Sequence, residues 1–331
     1  MKRPQTVHDE FITSILQNLF YARRFLQRAL GKHSKHIDWD TLELADNSYV
    51  RHNLKRYISD VVFSVKYQNG VSLNLLLVVE HKSYVPGTKL PIQIQLLGYV
   101  LARYEQYLAQ YKAQKKAAKD NGDPVPEFQL PVVVPIVVYH GQRRWNPRSW
   151  WQLFGKKTLP AELRTYVPYF EYLLLDYHEM TDQQLDELYA HDGDLKLVSK
   201  LMKHILDNDL ENQLLQFVNE FHEAMKTADG HDLLEKISLY LSKQLELDRI
   251  EYVINTAEQL NQSEKFINIM RSAYDTLIAR GEEKGKAIGK AEGKEEMIVA
   301  MLNKSYTLEE IASIAGVSVE AIEGIQQKHQ I

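Results

Sequence analysis

Two apolar runs joined by a turn constrain this chain most. Residues 57–66 read YISDVVFSVK, YQNG follows, and residues 71–82 read VSLNLLLVVEHK. Asn69-Gly70 between β-branched runs is a strong hairpin signal, because both residue types tolerate positive φ. A two-residue loop at 69–70 sets residue 60 across from residue 79, and a three-residue loop at 69–71 sets it across from residue 80. Either register brings Asp60 and Glu80 close, since facing residues in an antiparallel pair lie about 5 Å apart. Side chains alternate along a strand, so Glu80 and Lys82 share a face and His81 points away from it. A strand ending in surface charges would give the same letters. The run LNLLLVV at 73–79, almost wholly apolar, argues instead that Glu80 sits at the mouth of a core.

Two acids and an amine at the end of a buried hairpin suit metal-dependent phosphodiester hydrolysis. Mg²⁺ prefers oxygen ligands and is commonly held by one or two carboxylates together with water and substrate phosphate. Asp60 and Glu80 supply such carboxylates, and the His81 backbone carbonyl is a third candidate ligand. Lys82 is placed to orient the attacking water or to stabilise charge that builds on the phosphate.

The spacing Asp60, then Glu80-x-Lys82, resembles the PD-(D/E)XK nuclease superfamily. Gln95-Leu96-Leu97-Gly98-Tyr99 adds a QxxxY pattern found in several of its branches. The order of blocks resembles more closely the Rpn family of bacterial recombination-promoting nucleases, also labelled YhgA-like putative transposases. Those blocks are Tyr57-Ile58-Ser59-Asp60, Glu80-His81-Lys82, Gln95–Tyr99 and Pro131–Gly141. The N-terminal block matches in His8-Asp9, but its aromatic, Phe11, comes one place early, and Ile12 stands where the pattern has it. The resemblance spans roughly the whole chain, with its specific motifs in the first 180 residues. It implies a restriction-endonuclease-like α/β core, a mixed sheet flanked by helices, followed by a mainly α-helical C-terminal region. It also implies a Mg²⁺-dependent (or other divalent cation-dependent) DNA endonuclease that promotes recombination. Asp60, Glu80, Lys82, Gln95 and Tyr99 are then the catalytic set, and Asp60, Glu80 and the His81 carbonyl the metal ligands. Gln95 would contact the scissile phosphate or hold a ligand, with Tyr99 supporting it. Asp9 or Glu10 from the first helix, and Asp176, are further acids that could join. The alternative, of a different class, is a nuclease-derived DNA-binding or protein-interaction protein that does not cut. An intact Asp60, Glu80 and Lys82 favours the enzyme, because a binder has no need of all three.

Composition narrows the setting. The 331 residues, 44% hydrophobic, suit one large domain or two ordinary ones. With no cysteine, disulfides and Cys-based zinc sites are excluded and a reducing cytoplasm is the expected home. The start, MKRPQTVHDEF, has no apolar signal core, and no run approaches eighteen uncharged apolar residues, so no membrane span is expected. The net charge of −4 hides an asymmetry: residues 1–157 carry 23 Lys and Arg against 12 Asp and Glu, a net of +11, and the remainder nets −15. A basic half that also holds the candidate chemistry fits DNA as partner, because phosphate neutralisation dominates nucleic-acid affinity. Charge segregation from solvated helices is the competing explanation.

In chain order, Phe11, Ile15, Leu16, Leu19, Phe20, Phe25 and Leu26 recur at helical spacing and predict one helix over 8–30. Its Arg23, Arg24 and Arg28 are either phosphate contacts or structural cations near a helix C-terminus. Residues 31–56 are mixed and polar, with Trp39, Leu42 and Leu44 as packing points, and residues 83–90 form a loop. Pro91 opens a helix to about 118, on which Gln95 and Tyr99 project from one face while Tyr104, Tyr107 and Tyr111 form an amphipathic stripe. Its basic tip (Lys112, Lys115, Lys116, Lys119) is a DNA contact or a solvated end. PVVVPIVVY at 131–139 reads as a buried strand parallel to the one bearing Glu80, because a long helix intervenes. Pro135 within it demands a bulge or an edge position. His140 at its end reads as structural before catalytic. Arg143, Arg144, Trp145, Arg148, Trp150 and Trp151 interleave base and aromatic, as nucleic-acid contacts do and as a packed loop with peripheral arginines also does.

EYLLLD at 171–176 is a further strand, and Thr181 an N-cap. Repeated 3–4 spacing makes 181–280 an α-helical region, read as a lid, a scaffold or a subunit interface through which homo-oligomers form. Glycines at 281, 285, 289 and 293 stand among charges, so 281–304 is read as a mobile or conditionally helical linker. Residues 305–331 resemble a helix-turn-helix, with Thr307 and Ser318 as caps and Gly316 in the turn. Glu320 and Glu323 would repel phosphates, which favours protein contact over DNA reading. The expected division is a nuclease-like domain at 1–180 followed by these three segments.

Overall fold

The hairpin read from the sequence lies at the centre of a sheet. The computed structural model of the chain describes residues 7–45, 48–50, 56–58, 61–68, 72–82, 91–154, 159–226 and 229–329. The sheet strands are β1 (Ile37–Leu44), β4 (Val61–Gln68), β5 (Ser72–Lys82), β6 (Val132–Tyr139) and β7 (Leu173–Asp176), in the spatial order β1-β4-β5-β6-β7. β1, β4 and β5 are antiparallel neighbours, while β5, β6 and β7 are parallel. Between β1 and β4 in sequence, β2 (Ser48–Val50) and β3 (Arg56–Ile58) form a separate two-stranded pair.

Pro135 sits inside β6 without breaking it, and hydrogen bonds at the strand end explain why. The His140 N–H donates to the Lys82 carbonyl at 3.1 Å, and the Tyr139 carbonyl accepts from the Tyr177 N–H at 2.8 Å. Peptide groups alternate sides, so even positions of β6 address β5 and odd positions address β7. Proline 135 therefore directs its missing donor toward β7, and pairing with β7 begins only at Ile136. A nominally interior strand is locally an edge there.

The expected N-terminal helix is two helices, α1 (Val7–Leu16) and α2 (Leu19–Leu30). Asn18 makes the break, its side-chain oxygen accepting from the Phe20 N–H at 2.9 Å as the N-cap of α2. Leu19 and Phe20, expected on the buried stripe, open α2 at the surface, 39% and 40% exposed. Phe11, Ile12, Ile15, Leu16, Phe25 and Leu26 are buried. Arg24 and Arg28 are structural: both bond to the buried Asp192, and Arg24 also to Asp194, in a later helix. Leu42 and Trp39 of β1 pack inward as expected, but Leu44 is exposed.

Helix α3 (Ile92–Asn121) follows Pro91 and ends at Gly122, whose φ of +76° a side chain would strain. One face of its first three turns is buried, and beyond Arg103 it has no buried residue; there Tyr107 and Tyr111 meet Phe128. The helices that follow β7 are α4 (Asp182–Leu188), α5 (Gly193–His204), α6 (Leu210–Gln216), α7 (Val218–Ala224), α8 (Gly230–Gln244), α9 (Leu247–Gln259), α10 (Glu264–Asn303), α11 (Leu308–Ala315) and α12 (Val319–His329). Thr181 and Thr307 each close a capping box. The stretch 281–293, read as a linker, is a fully exposed part of α10.

The sheet separates two apolar clusters. On one face Val61, Phe63, Val65, Val79, Ile136 and Val138 pack against α1 and α2, in a core that continues through α4 to α10 as far as Ala273. On the other face Val62, Val137 and Tyr139 pack against Ile92, Leu96 and Tyr99 of α3 and against Trp145. A third, separate cluster joins Ile298 to Ile311, Ala315 and Ile322 of α11 and α12.

Candidate active site

The β4–β5 register resolves the alternative left by the sequence. Val61 pairs with Val79 and Gln68 with Ser72, which leaves the three-residue connection 69–71. Asp60 lies outside the described residues, as does the Asn69-Gly70 turn, and so do the side chains of Glu80 and His81. The backbone of all three motif residues is the end of β5, with Glu80 in register with Val137 and Lys82 with Tyr139. Its register with Tyr139 puts Lys82 on the face covered by α3.

The Lys82 side chain is 3% exposed. An ammonium is costly to bury unless acceptors or opposite charge accompany it. A lysine at this depth, at the end of a core strand, is thus part of a polar site rather than a strand end in water.

From the facing helix come Gln95 and Tyr99, one turn apart and each 8% exposed. The Gln95 amide Nε2 donates to the Tyr99 hydroxyl at 2.7 Å. Tyr99 belongs to the same cluster as Val62, Val137 and Tyr139. The fold therefore brings Lys82, Gln95 and Tyr99 to one side of the sheet.

The sequence marks Tyr139 only as a strand residue. It lies beside Lys82, and its hydroxyl donates to the carbonyl of Arg143. Burial, and then the charge of Asp176, raise its pKa above the ordinary tyrosine value. The period-two spacing from Val137 and the parallel alignment with Lys82 were the signals that could have found it. Gln93 was also missed: its amide donates to the Arg148 carbonyl and ties α3 to the loop after β6.

Asp176 is in register with Tyr139 and so stands two strands from Lys82, about 10 Å at ordinary strand spacing. Its carboxylate accepts from the N–H groups of His178 and Glu179 at 3.1 and 3.2 Å, which makes it the residue that holds the turn after β7. Burial raises its pKa, although those two N–H groups pull it down.

The N-terminal block lies on the opposite face. His8 meets the Tyr240 hydroxyl at 2.6 Å through Nδ1 and packs edge-on against His140, 5.1 Å between ring centres. Phe11 stacks on Tyr240 at 4.0 Å. His140 is buried, with Nδ1 2.8 Å from the Met202 carbonyl, so it joins the sheet end to α5. Both Phe11 and Ile12 are buried, and the shifted aromatic of the N-terminal block costs no packing. Asp9 is half-buried on α1, and Glu10 forms an ion pair with Lys243 at 3.0 Å. Among the described residues no group of three or more His, Asp or Glu side chains is arranged to hold a metal ion. None of their helices is long and apolar enough to cross a membrane.

The interleaved aromatic and basic loop after β6 divides. Trp145 and Trp150 are buried, so these two are packing residues, whereas Trp151 is half-buried.

Comparison with known proteins agrees with the order of blocks. The chain is 27% identical to the recombination-promoting nuclease RpnD of Escherichia coli O157:H7 over 216 residues, 64% of this chain and 73% of that protein. It is 26% identical to the recombination-promoting nuclease RpnC of Escherichia coli strain K12 over 329 residues, 98% of this chain and 99% of that protein. It is 27% identical to the inactive recombination-promoting nuclease-like protein RpnE of the same strain over 206 residues, 61% of this chain and 60% of that protein. No solved structure matches. Residues 6–232, from the start of α1 into α8, match the family described as "Putative transposase, YhgA-like", and the chain belongs to that family.

Proposed function

We propose that the chain is a divalent-cation-dependent DNA endonuclease with a PD-(D/E)XK core. The carrying observation is Lys82, buried at the end of β5 on the face where Gln95 bonds to Tyr99. A mixed sheet with one helix layer on each face and a β5–α3–β6 parallel crossover supports the fold assignment. The relatives named as nucleases support the activity.

In this reading, Asp60 and Glu80 face each other by extension of the Val61–Val79 register. Their carboxylates and the His81 carbonyl would hold Mg²⁺, an all-oxygen donor set of the kind that cation takes. When bound, the cation polarises the scissile phosphate and lowers the pKa of an attacking water. Lys82 offsets charge on the phosphate oxygens or orients that water. Gln95 positions the phosphate, and Tyr99 fixes the amide of Gln95. The water oxygen bonds to phosphorus and one P–O ester bond breaks, which gives a phosphate monoester and a free hydroxyl.

Purified protein should nick supercoiled plasmid with Mg²⁺ and not with a chelator, and Asp60→Ala or Glu80→Ala should abolish nicking with the melting transition retained. Wild-type-like nicking by either variant would overturn the assignment. A second reading, a DNA-binding or interaction protein that does not cut, draws on the relative named inactive. Plasmid binding without nicking by the wild-type chain would select it.

A further inference from the structure

We propose that the segment between β6 and β7 carries a stacking shelf for unpaired bases of a DNA strand leading to the active site. The proposal rests on the reading that DNA is the substrate, and it adds the kind of DNA: duplex with a single-stranded portion.

The shelf is what remains once the core has taken its aromatics. Trp145 packs on Tyr139 at 5.1 Å, and Trp150 packs on Phe170 at 5.2 Å while its indole N–H donates to the Phe170 carbonyl. Trp151 instead stacks on Tyr169, 4.9 Å between ring centres and 14° from parallel. The Arg164 guanidinium lies 5.0 Å from the centre of the Trp151 ring. Tyr169 is 50% exposed and Tyr166, which ends the short turn Ala161–Tyr166, is 83% exposed. Phe154 and Leu163 are also half-exposed nearby in sequence. Folding does not require a pile of ring, ring and guanidinium open to water, and exposed apolar groups that cluster mark interaction sites.

The composition of the pile selects a base over a peptide. Bases extend aromatic stacks regardless of sequence, and guanidinium planes join them. Arg143 and Arg148 are exposed in the same segment, as cations for phosphates. Arg144 is engaged with Glu179 at 3.2 Å, and the acids of the segment are the exposed Glu162 and Glu171. Glu171 accepts from the Tyr169 hydroxyl at 2.8 Å.

The segment is fastened to the candidate site at two points. Tyr139, beside Lys82, donates to the Arg143 carbonyl, and Gln93, two residues before Gln95, donates to the Arg148 carbonyl. Tyr169 precedes Asp176 by seven residues, so it lies within about 25 Å of Asp176, whose strand is two from the strand of Lys82.

The test measures binding by fluorescence anisotropy in chelator, where nothing is cut, for a short single strand, a blunt duplex and a duplex with a single-stranded overhang. Wild-type chain should bind the single strand and the overhang, with quenching of tryptophan fluorescence. Tyr166→Ala/Tyr169→Ala should lose roughly ten-fold on both while its affinity for blunt duplex and its nicking of plasmid stay unchanged. Tyr166→Phe/Tyr169→Phe keeps the rings and should bind as wild type does. Absence of single-strand binding by the wild type, an overhang affinity unchanged in the alanine variant, or equal loss in the phenylalanine variant would each overturn the shelf. Those results would leave the surface to a protein partner or a second copy. If the wild type also neither bound duplex nor nicked plasmid, the DNA reading itself would fall.

Discussion

Lys82 and Tyr139 end adjacent parallel strands in register, and the next strand sets Asp176 level with both. By register the three stand in one row across the α3 face, and Lys82 is buried there at 3% exposure. Lys82→Met keeps the alkyl volume and removes the ammonium. It should leave folding intact and cut plasmid nicking by a factor of roughly 100 to 1,000, the loss typical of one preorganised charge-stabilising group. A nicking rate within a few-fold of wild type would exclude Lys82 from the chemistry.

Tyr99→Phe takes away the acceptor of the Gln95 amide bond while filling the same space. A buried hydrogen bond contributes about 1 kcal/mol net, and a stranded partner costs somewhat more. The variant should melt a few degrees lower, and nicking should fall by about ten-fold through the rate rather than through DNA affinity. Gln95→Leu should cost more activity than Tyr99→Phe, since in the proposed mechanism the amide is the group that positions the phosphate. The opposite order would assign the direct role to the phenol.

Arg24 and Asp194 tie the N-terminal helices to the helical region. The two bonds from the guanidinium to Asp194 measure 2.9 and 2.5 Å, and the Asp194 side chain is fully buried. Breaking a buried pair from one side leaves the other charge uncompensated, so Asp194→Ala should destabilise by about 3 kcal/mol or more. Denaturant melts of the full chain would register it. Replacing both partners by apolar residues should recover much of the loss.

Acid should loosen the same region through Asp182. Burial alone would raise its pKa, but hydrogen bonds from Lys203 at 2.7 Å and His204 at 3.0 Å, with their charges, hold it below the ordinary value of 3.8. A carboxylate with a depressed folded pKa adds stability that is present above its unfolded pKa. That stability is lost as pH falls through the folded value. Melting temperature should therefore drop below about pH 4, and Asp182→Asn should flatten that part of the profile while lowering stability at neutral pH. A profile in Asp182→Asn parallel to wild type would show that other carboxylates govern the acid limb.

Truncation should respect the shared core. Phe11 stacks on Tyr240, and α1 and α2 pack with residues of α4 to α10. A fragment ending at residue 180 strips these partners from the sheet and should be insoluble or molten. A fragment ending at residue 280 retains that core through Ala273, and loses only the exposed helix and the separate cluster around Ile311 and Ile322. It should melt cooperatively near the full-length temperature.

The sequence by itself determined what local chemistry can encode. Asn69-Gly70 between β-branched runs specified the β4–β5 hairpin, and Pro91 and Thr181 specified helix starts at the right places. A helix of 30 residues between two apolar runs required β5 and β6 to be parallel. The period of two put Lys82 on a defined face, and the period of four put Gln95 and Tyr99 on another. That those faces meet was an expectation drawn from resemblance, and only the packing of α3 on the sheet brought the residues together. Local pattern could not show that the helix over 8–30 breaks at Asn18, because either half continues the apolar stripe and a single side-chain cap decides. Nor could it show that Trp145 and Trp150 turn inward while Trp151 turns out, since neighbouring tryptophans carry the same letter and burial depends on what α3 and β7 leave open. Position His8 illustrates the limit most plainly. Its partners Tyr240 and His140 lie 232 and 132 residues away, and contacts at such separation are fixed by how the helices close over the sheet.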